Sequence, residues 1–264
     1  MSENNNFAHK IADVLRAVSG KTDKKYYTSA VILAAGSSTR MGGESKQFIE
    51  LCGVPVVAHT IKAFDQCKCI DELIIVCKKD EMPLYDDFPV KYSLQKPFKV
   101  VEGGNTRQES ARCGVDAVND KSKFIAIHDG ARCLITDELI QKTCHGAYLH
   151  DGAILAVKAV DTVKLADKNA FIESTPERKY TWQAQTPQVF RTNAFRAATY
   201  VARDEEFEGT DDASLLEHIR IPVKLIEGSR ENLKVTEPLD IKIAEAILAA
   251  RLENANTQLS EEKV

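Results

Sequence analysis

From Ala30 onward the chain alternates two rhythms. Short, nearly continuous apolar stretches (AVILAA from Ala30, ELIIVC from Glu72, KVV from Lys99, FIAIHD from Phe124, AILAVKAV from Ala153 and VKLIEG from Val223) alternate with segments of helical spacing. Those segments are VVAHTIKAF from Val56, TRQESARCGVDAV from Thr106 and DELIQKTCHGAYL from Asp137. An unbroken apolar strand fits burial on both faces, and strand and helix in alternation predict β-α-β crossovers in a mostly parallel sheet with helices on either side. Ligands of such sheets bind at the carboxyl ends of the strands, so chemistry is sought there.

Three regions depart from the rhythm. Residues 1–28 are polar apart from Ile11, Val14, Leu15 and Val18, which would make one short apolar stripe on a helix; a packing appendage is one reading of this extension and disorder the other. Asp161 to Lys179, DTVKLADKNAFIESTPERK, is polar and lacks helical periodicity, so residues 161–180 are expected to form an extended arm, a hairpin reaching a second subunit. The polar tail 253–264 is expected to fray. The principal domain is then 29–252.

Composition narrows the function. A length of 264 residues with 44% hydrophobic content suits one large α/β domain. A net charge of −4 argues against a chain that coats nucleic acid or an anionic membrane, so any anionic ligand must meet a local basic cluster. The seven cysteines form no C-x-x-C pair and sit in apolar segments, reading as reduced core residues of a cytoplasmic protein. No apolar run approaches the roughly 20 residues that cross a bilayer, and the N-terminal ten residues lack the pattern of a signal peptide.

Four clusters carry candidate chemistry. The first, AAGSSTRMGGESKQF, follows a strand with glycines, hydroxyls, Arg40 and Lys46. Glycines let backbone N–H groups approach a phosphate and hydroxyls add donors, yet neither G-x-G-x-x-G nor G-K-[ST] is present. The second, EGGNTRQESA, opens a helix with Asn105 or Thr106 as cap; Arg107 and Ser110 lie three apart on one face, and a plain helix surface is the alternative for both. The third, FIAIHDGAR, places Asp129 at a strand's carboxyl end, where a carboxylate suits magnesium; a turn or cap residue is the alternative, and His128 reads as a packed neighbour. In the fourth, TDDAS begins a helix capped by Thr210 or Asp211, and ENLKVTEPLD carries Lys234 in a short segment outside any helix face.

These stretches resemble the 2-C-methyl-D-erythritol 4-phosphate cytidylyltransferases over Ser29 to about Arg251. AAGSSTRMG, SKQF, GGNTRQES, HDGAR, VDTVK, WQAQTPQVF, TDDAS and ENLKVTEPLD carry the resemblance, in that order. It implies a Rossmann-like three-layer sandwich with a mostly parallel twisted sheet and a protruding β-arm, acting as a homodimer. It also implies transfer of a cytidylyl group from CTP to the polyol phosphate with release of pyrophosphate, assisted by Mg²⁺ or another divalent cation.

Carried over residue by residue, the resemblance assigns Ala34, Ala35, Gly36, Ser37, Ser38, Gly104, Asn105, Arg107, Ser110 and Gly130 to CTP. Arg40 and Lys46 would neutralise charge at the α-phosphate. Asp129 would lie near the metal and the polyol phosphate, with Arg132, Thr186 and Thr210 on the substrate wall. Lys234 would orient the attacking phosphate, while Thr162 and Arg178 would enter the neighbouring subunit's site. Cys133 stands where proline often follows HD-[AG]-A-R, and Ala111 where valine is usual. Ribitol 5-phosphate cytidylyltransferases share the opening loop, KQF and TPQ, and are the nearest alternative. Sugar-1-phosphate nucleotidyltransferases and molybdopterin cytidylyltransferases share the start alone, and an inactive nucleotide-binding regulator is the alternative outside enzymes.

Overall fold

A computed structural model describes residues 26–36 and 45–261, with the backbone alone over 255–261. The stripe expected from Ile11, Val14, Leu15 and Val18 lies outside these residues, as do Ser37, Ser38 and Arg40.

The apolar stretches become strands β1 (Thr28–Leu33), β4 (Glu72–Cys77), β5 (Phe98–Glu102), β6 (Phe124–Asp129), β7 (Gly152–Lys158) and β11 (Lys224–Glu227). Between the first two, β2 (Glu50–Leu51) and β3 (Val54–Pro55) make a small hairpin. The central sheet has seven strands in the order β11-β7-β10-β6-β1-β4-β5. All neighbours pair in parallel except at β10 (Trp182–Arg191), which runs antiparallel to both β6 and β7.

Strand β10 is not part of the apolar rhythm. Gln183, Gln185, Thr186 and Gln188 make it polar, and Pro187, which has no N–H to give a ladder, argues against a central position. The strand accommodates proline through a break in register against β7 between Ala184 and Gln188. Running antiparallel to β6, it brings its polar half to the end where β6 delivers Asp129, whose N–H reaches Thr186 Oγ1 at 3.0 Å.

The α-helices of the described residues are α1 (Val56–Gln66), α2 (Phe88–Lys91), α3 (Arg107–Asp116), α4 (Asp137–His150), α5 (Thr192–Asp204), α6 (Asp212–His218) and α7 (Pro238–Glu261), with 3-10 turns at Lys79–Tyr85 and Arg178–Tyr180. Successive strand residues feed opposite faces: Ile32 and Ile75 join a core with Phe64, Phe124 and Ile140, while Val31 and Ile74 join another with Val115, Phe190 and Phe195. Two cores on alternate sides explain why these strands carry no polar face.

The arm is a hairpin of β8 (Leu165–Ala166) and β9 (Ile172–Ser174), paired with each other apart from the main sheet. Phe171 on it is 73% exposed and Ile172 64%. The tail expected to fray after Leu252 is instead helical through Glu261, a stretch without Gly or Pro to break the helix. All seven cysteines are free thiols; Cys67, Cys69, Cys77, Cys133 and Cys144 are buried as expected, whereas Cys52 is exposed and Cys113 half-buried.

Helix α3 lies close against the sheet because Gly114 has no side chain there: a Cβ would come within 2.3 Å of Val31 Cγ1 and 2.7 Å of Val76 Cγ2. Helix propensity favours alanine over glycine by about 1 kcal/mol, whereas overpacking costs about 1–3 kcal/mol and rises with a clash against β-branched strand residues. Gly114→Ala is therefore expected to lose on the order of 1 kcal/mol or more net, read as a lower urea midpoint. An unchanged or higher midpoint would contradict this close approach.

Candidate active site

The carboxyl ends of β1, β5 and β6 meet at one edge. Leu33 lies opposite Asp129 in the β1–β6 register, which sets the Ala34–Gly36 turn beside the turn after Asp129. A cleft of about 340 Å³ opens there, lined on one side by Gly36, Lys46 and Gln47 and on the other by Gly104, Asn105 and Ser110. A second hollow of about 330 Å³ lies beside it, walled by Arg132, Gln185, Thr186, Gln188, Thr210 and Asp211. Arg107, Asp129 and Lys234 belong to both and mark their boundary. A larger groove of about 490 Å³ runs along α7, where Ile243, Ala246, Ile247 and Ala250 meet Glu231, Lys242, Arg251 and Asn254.

The glycine loop after β5 is held open by its own helix. Thr106 caps α3, accepting from Glu109 N, while Glu109 Oε2 accepts from Asn105 N at 2.7 Å. Gly104 is required for this fold-back: a Cβ would lie 2.3 Å from Glu109 Cβ. Ser110 is buried rather than a surface residue; it donates to Thr106 O at 2.9 Å and accepts from Gly104 N at 3.2 Å. The loop thus reaches the cleft with its backbone already placed.

At the boundary one carboxylate gathers three cations. Asp129 Oδ2 lies 2.9 Å from Lys234 Nζ and 3.7 Å from Arg132 Nε, and Oδ1 lies 3.3 Å from Arg107 Nε. Burial opposes the Asp129 charge, but Lys234, Arg107 and Arg132 together outweigh it and hold the carboxyl well below its ordinary range. Arg107 also donates to Asp212 Oδ2 at 2.7 Å; burial works against its charge, and Asp212 and Asp129 together overcome it.

The backbone of Asp129 is fixed by a chain of hydrogen bonds. Asp129 N–H donates to Thr186 Oγ1 at 3.0 Å, the Thr186 hydroxyl donates to His128 Nδ1 at 3.1 Å, and His128 Nε2–H donates to Arg132 O at 3.2 Å. His128 is wholly buried, and burial pushes its pKa down to about 3, so the ring is neutral and engaged at both nitrogens. It is the packed neighbour expected, resting against Phe64 with ring centres 4.9 Å apart.

A model of the 2-C-methyl-D-erythritol 4-phosphate cytidylyltransferase family matches residues 28–250. The chain belongs to this family. It is a nucleotidyltransferase. Among its relatives, the 2-C-methyl-D-erythritol 4-phosphate cytidylyltransferase of Caldanaerobacter subterraneus subsp. tengcongensis is 43% identical over 222 residues, 83% of this chain and 98% of that protein. The chloroplastic enzyme of that name from Oryza sativa subsp. japonica is 34% identical over 87% of this chain and 77% of its own. The crystal structure of 4-diphosphocytidyl-2C-methyl-D-erythritol synthase from Anaerococcus prevotii superposes with a TM-score of 0.78 at 33% identity, covering 85% of this chain and 97% of that one. The Thermus thermophilus cytidylyltransferase superposes at 0.69 and 27% identity, covering 84% and 98%.

Against the residues expected from this family, the cleft gathers Ala35, Gly36, Lys46, Gly104, Asn105, Arg107, Ser110, Asp129 and Lys234. Arg132, Thr186 and Thr210 line the second hollow, although the Thr186 hydroxyl is already committed to Asp129 N and His128. Ala34 and Gly130 are buried beneath the cleft, with their N–H groups bonded to Val76 O and Leu33 O. Thr162 and Arg178 are exposed on the arm and line neither hollow of their own chain; Arg178 donates to Val160 O at 3.1 Å. Asp211, not Thr210, caps α6.

Gln47, Gln185, Gln188 and Asp211 line the two hollows and Asp212 lies buried behind them against Arg107, and motif reading gave none of the five a chemical role. For Asp212 the signal was present: it shares a helix face with Leu215 and Leu216, three and four positions on, so it must point inward.

The neutral His128 sets a pH dependence of stability. The unfolded chain takes up a proton near pH 6.5, the folded ring only near 3. Between those values the unfolded state binds more protons, so stability falls as pH drops from about 6.5 toward 3. His128→Gln is expected to flatten that slope in urea unfolding followed from pH 7 to pH 4, whatever its stability at pH 7. An unaltered slope would place the effect elsewhere.

Proposed function

We infer that the two hollows hold the two substrates of the family reaction. CTP occupies the glycine-lined cleft, and 2-C-methyl-D-erythritol 4-phosphate lies beside Thr186 and Thr210. A phosphate oxygen of the polyol attacks the α-phosphorus of CTP, the bond to the β-phosphate oxygen breaks, and pyrophosphate leaves with that electron pair. The product is 4-diphosphocytidyl-2-C-methyl-D-erythritol. The observation that carries this reading is the boundary itself, where Lys46 and Lys234 line one cleft and Asp129, Arg107 and Lys234 also belong to the adjoining hollow.

The attacking phosphate is ionised at neutral pH, so no general base is needed, and His128 is occupied at both nitrogens. The barrier is electrostatic: two polyanions must meet while charge accumulates around phosphorus. Asp129 holds Lys234 at 2.9 Å, so the ammonium is placed before substrate arrives. Lys46 lines the same cleft, with Arg40, Ser37 and Ser38 assigned to the triphosphate by the resemblance.

Among the described residues, no group of three His, Cys, Asp or Glu side chains is arranged to hold a metal ion. Asp129, alone among the described residues, offers a carboxylate to both hollows, which suits an ion bound chiefly by phosphates and water, as Mg²⁺ commonly is. Such a cation would neutralise phosphate charge when bound.

Two copies of the chain are taken to exchange arms, bringing Thr162 and Arg178 to the partner's polyol phosphate. The exposed Phe171, Ile172 and Tyr180 give the arm apolar surface to bury in that exchange. A cytoplasmic setting belongs to the same reading, since every cysteine is a free thiol.

Purified protein offered CTP with each polyol phosphate is expected to release pyrophosphate fastest with 2-C-methyl-D-erythritol 4-phosphate. Preference for ribitol 5-phosphate would overturn the substrate, and tight CTP binding without turnover on either would overturn catalysis. Lys46→Ala and Arg40→Ala are each expected to lower kcat by on the order of 10²-fold or more with an unchanged fold by circular dichroism; near-normal turnover in either would remove that residue from the mechanism. Arg178→Ala is expected to raise KM for the polyol phosphate far more than KM for CTP, and an equal rise in both would count against an arm acting across the dimer.

A further inference from the structure

Asp212 is a buried carboxylate with no evident local use. It is 1% exposed, and its neighbour Asp211 already caps α6 by accepting from Ser214 N at 3.0 Å. One oxygen accepts from Arg107; Oδ1 has no hydrogen-bond partner among the described residues. Burial pushes the carboxyl upward, and the attraction of Arg107 offsets that only in part. A charge buried with one partner is a costly way to fill a place beside Leu215 and Leu216, where an apolar side chain would pack more cheaply.

What Asp212 does reach is the edge of a guanidinium whose other edge faces Asp129. The Arg107 fork is planar and rigid, so holding its Nη2 at 2.7 Å from Asp212 dictates where Nε lies, at 3.3 Å from Asp129 Oδ1. Both ends of this strut are anchored. Gln108, next to Arg107 on α3, accepts from Gly209 N at 2.9 Å and donates to Phe207 O at 3.1 Å. Gln188 of β10 donates to Asp211 Oδ2 at 2.8 Å and accepts from Ala213 N at 2.9 Å. Helix α3, which carries the nucleotide-cleft loop, the 207–212 turn, which carries Thr210, and β10, which carries Thr186, are thereby joined at one point.

We propose that Asp212 is a positioning residue for the transfer reaction, acting through Arg107 to keep Asp129 and Lys234 aligned between the two substrate hollows. Without it, Arg107 is free to turn both edges of its fork onto Asp129, competing with Lys234 for the same carboxylate and shifting the ammonium from its place. The proposal rests on the placement of the polyol phosphate beside Asp129 and Lys234.

The test is a double-mutant cycle on the full-length protein with Asp212→Asn, Arg107→Lys and the pair. Asp212→Asn is expected to lower kcat/KM for 2-C-methyl-D-erythritol 4-phosphate by about tenfold or more, with a much smaller change in KM for CTP; Arg107→Lys, whose side chain lines both hollows, is expected to lower it at least as far. The double variant is expected to fall no further than the worse single one, since the two residues form one device. Additive losses in the double variant, or a loss in Asp212→Asn shared equally by CTP and the polyol phosphate, would overturn the proposal. Should Asp212→Asn fail to fold, Arg107→Lys alone decides: it removes the two-edged fork while keeping the charge, and a wild-type kcat/KM in that variant overturns the proposal. Wild-type turnover on the same substrates checks the substrate placement separately.

Discussion

A single carboxylate at the end of β6 organises this molecule. Asp129 is 8% exposed and faces Lys234, Arg107 and Arg132 from three different parts of the chain. A buried charge is tolerable only when it is paired and hydrogen-bonded, so the cations and the carboxylate fix one another. Lys234 reaches it from the segment before α7, which Val235 N secures to Ala131 O at 2.9 Å. Arg107 reaches it from α3 and Arg132 from the turn that follows β6. The cations are thus in place before a polyanion binds, and little reorganisation remains to be done during the reaction.

The sheet is what allows so many distant residues to meet. Parallel strands deliver their following turns to one edge, and three of those turns carry small residues that leave room for a ligand. The antiparallel β10 adds what parallel strands alone would not, a polar segment entering from the same edge. Its Thr186 accepts the Asp129 N–H and, through His128, links that residue to the carbonyl of Arg132. His128 therefore contributes shape rather than proton transfer, in keeping with a reaction whose nucleophile needs no deprotonation.

Much of this was legible in the sequence. Strands β4 and β6 coincide with ELIIVC and FIAIHD because burial on both faces demands unbroken apolar runs. The arm announced itself by breaking the rhythm, and Lys234 by lying outside any helix face. Strand β10 was hidden because site residues and proline replace its apolar pattern. The partners of Arg107 were hidden for another reason: Asp129 and Asp212 are 22 and 105 residues away in the chain, and only the folded sheet and the Gln188 clamp bring them together. Asp212 was obscured by Asp211, since a helix cap accounted for the motif without requiring a second carboxylate to point inward.

On the proposed reading, Lys46 and Lys234 flank the innermost phosphorus of the bound nucleotide. A crystal structure with CTP and Mg²⁺ tests it most directly, through the distance from each Nζ to the nearest α-phosphate oxygen. Both ammonium groups are expected to lie within about 4 Å of an α-phosphate oxygen, the range of a direct ion pair, with Asp129 still against Lys234. A nucleotide whose α-phosphate lies beyond reach of both lysines, or in the groove along α7, would contradict it.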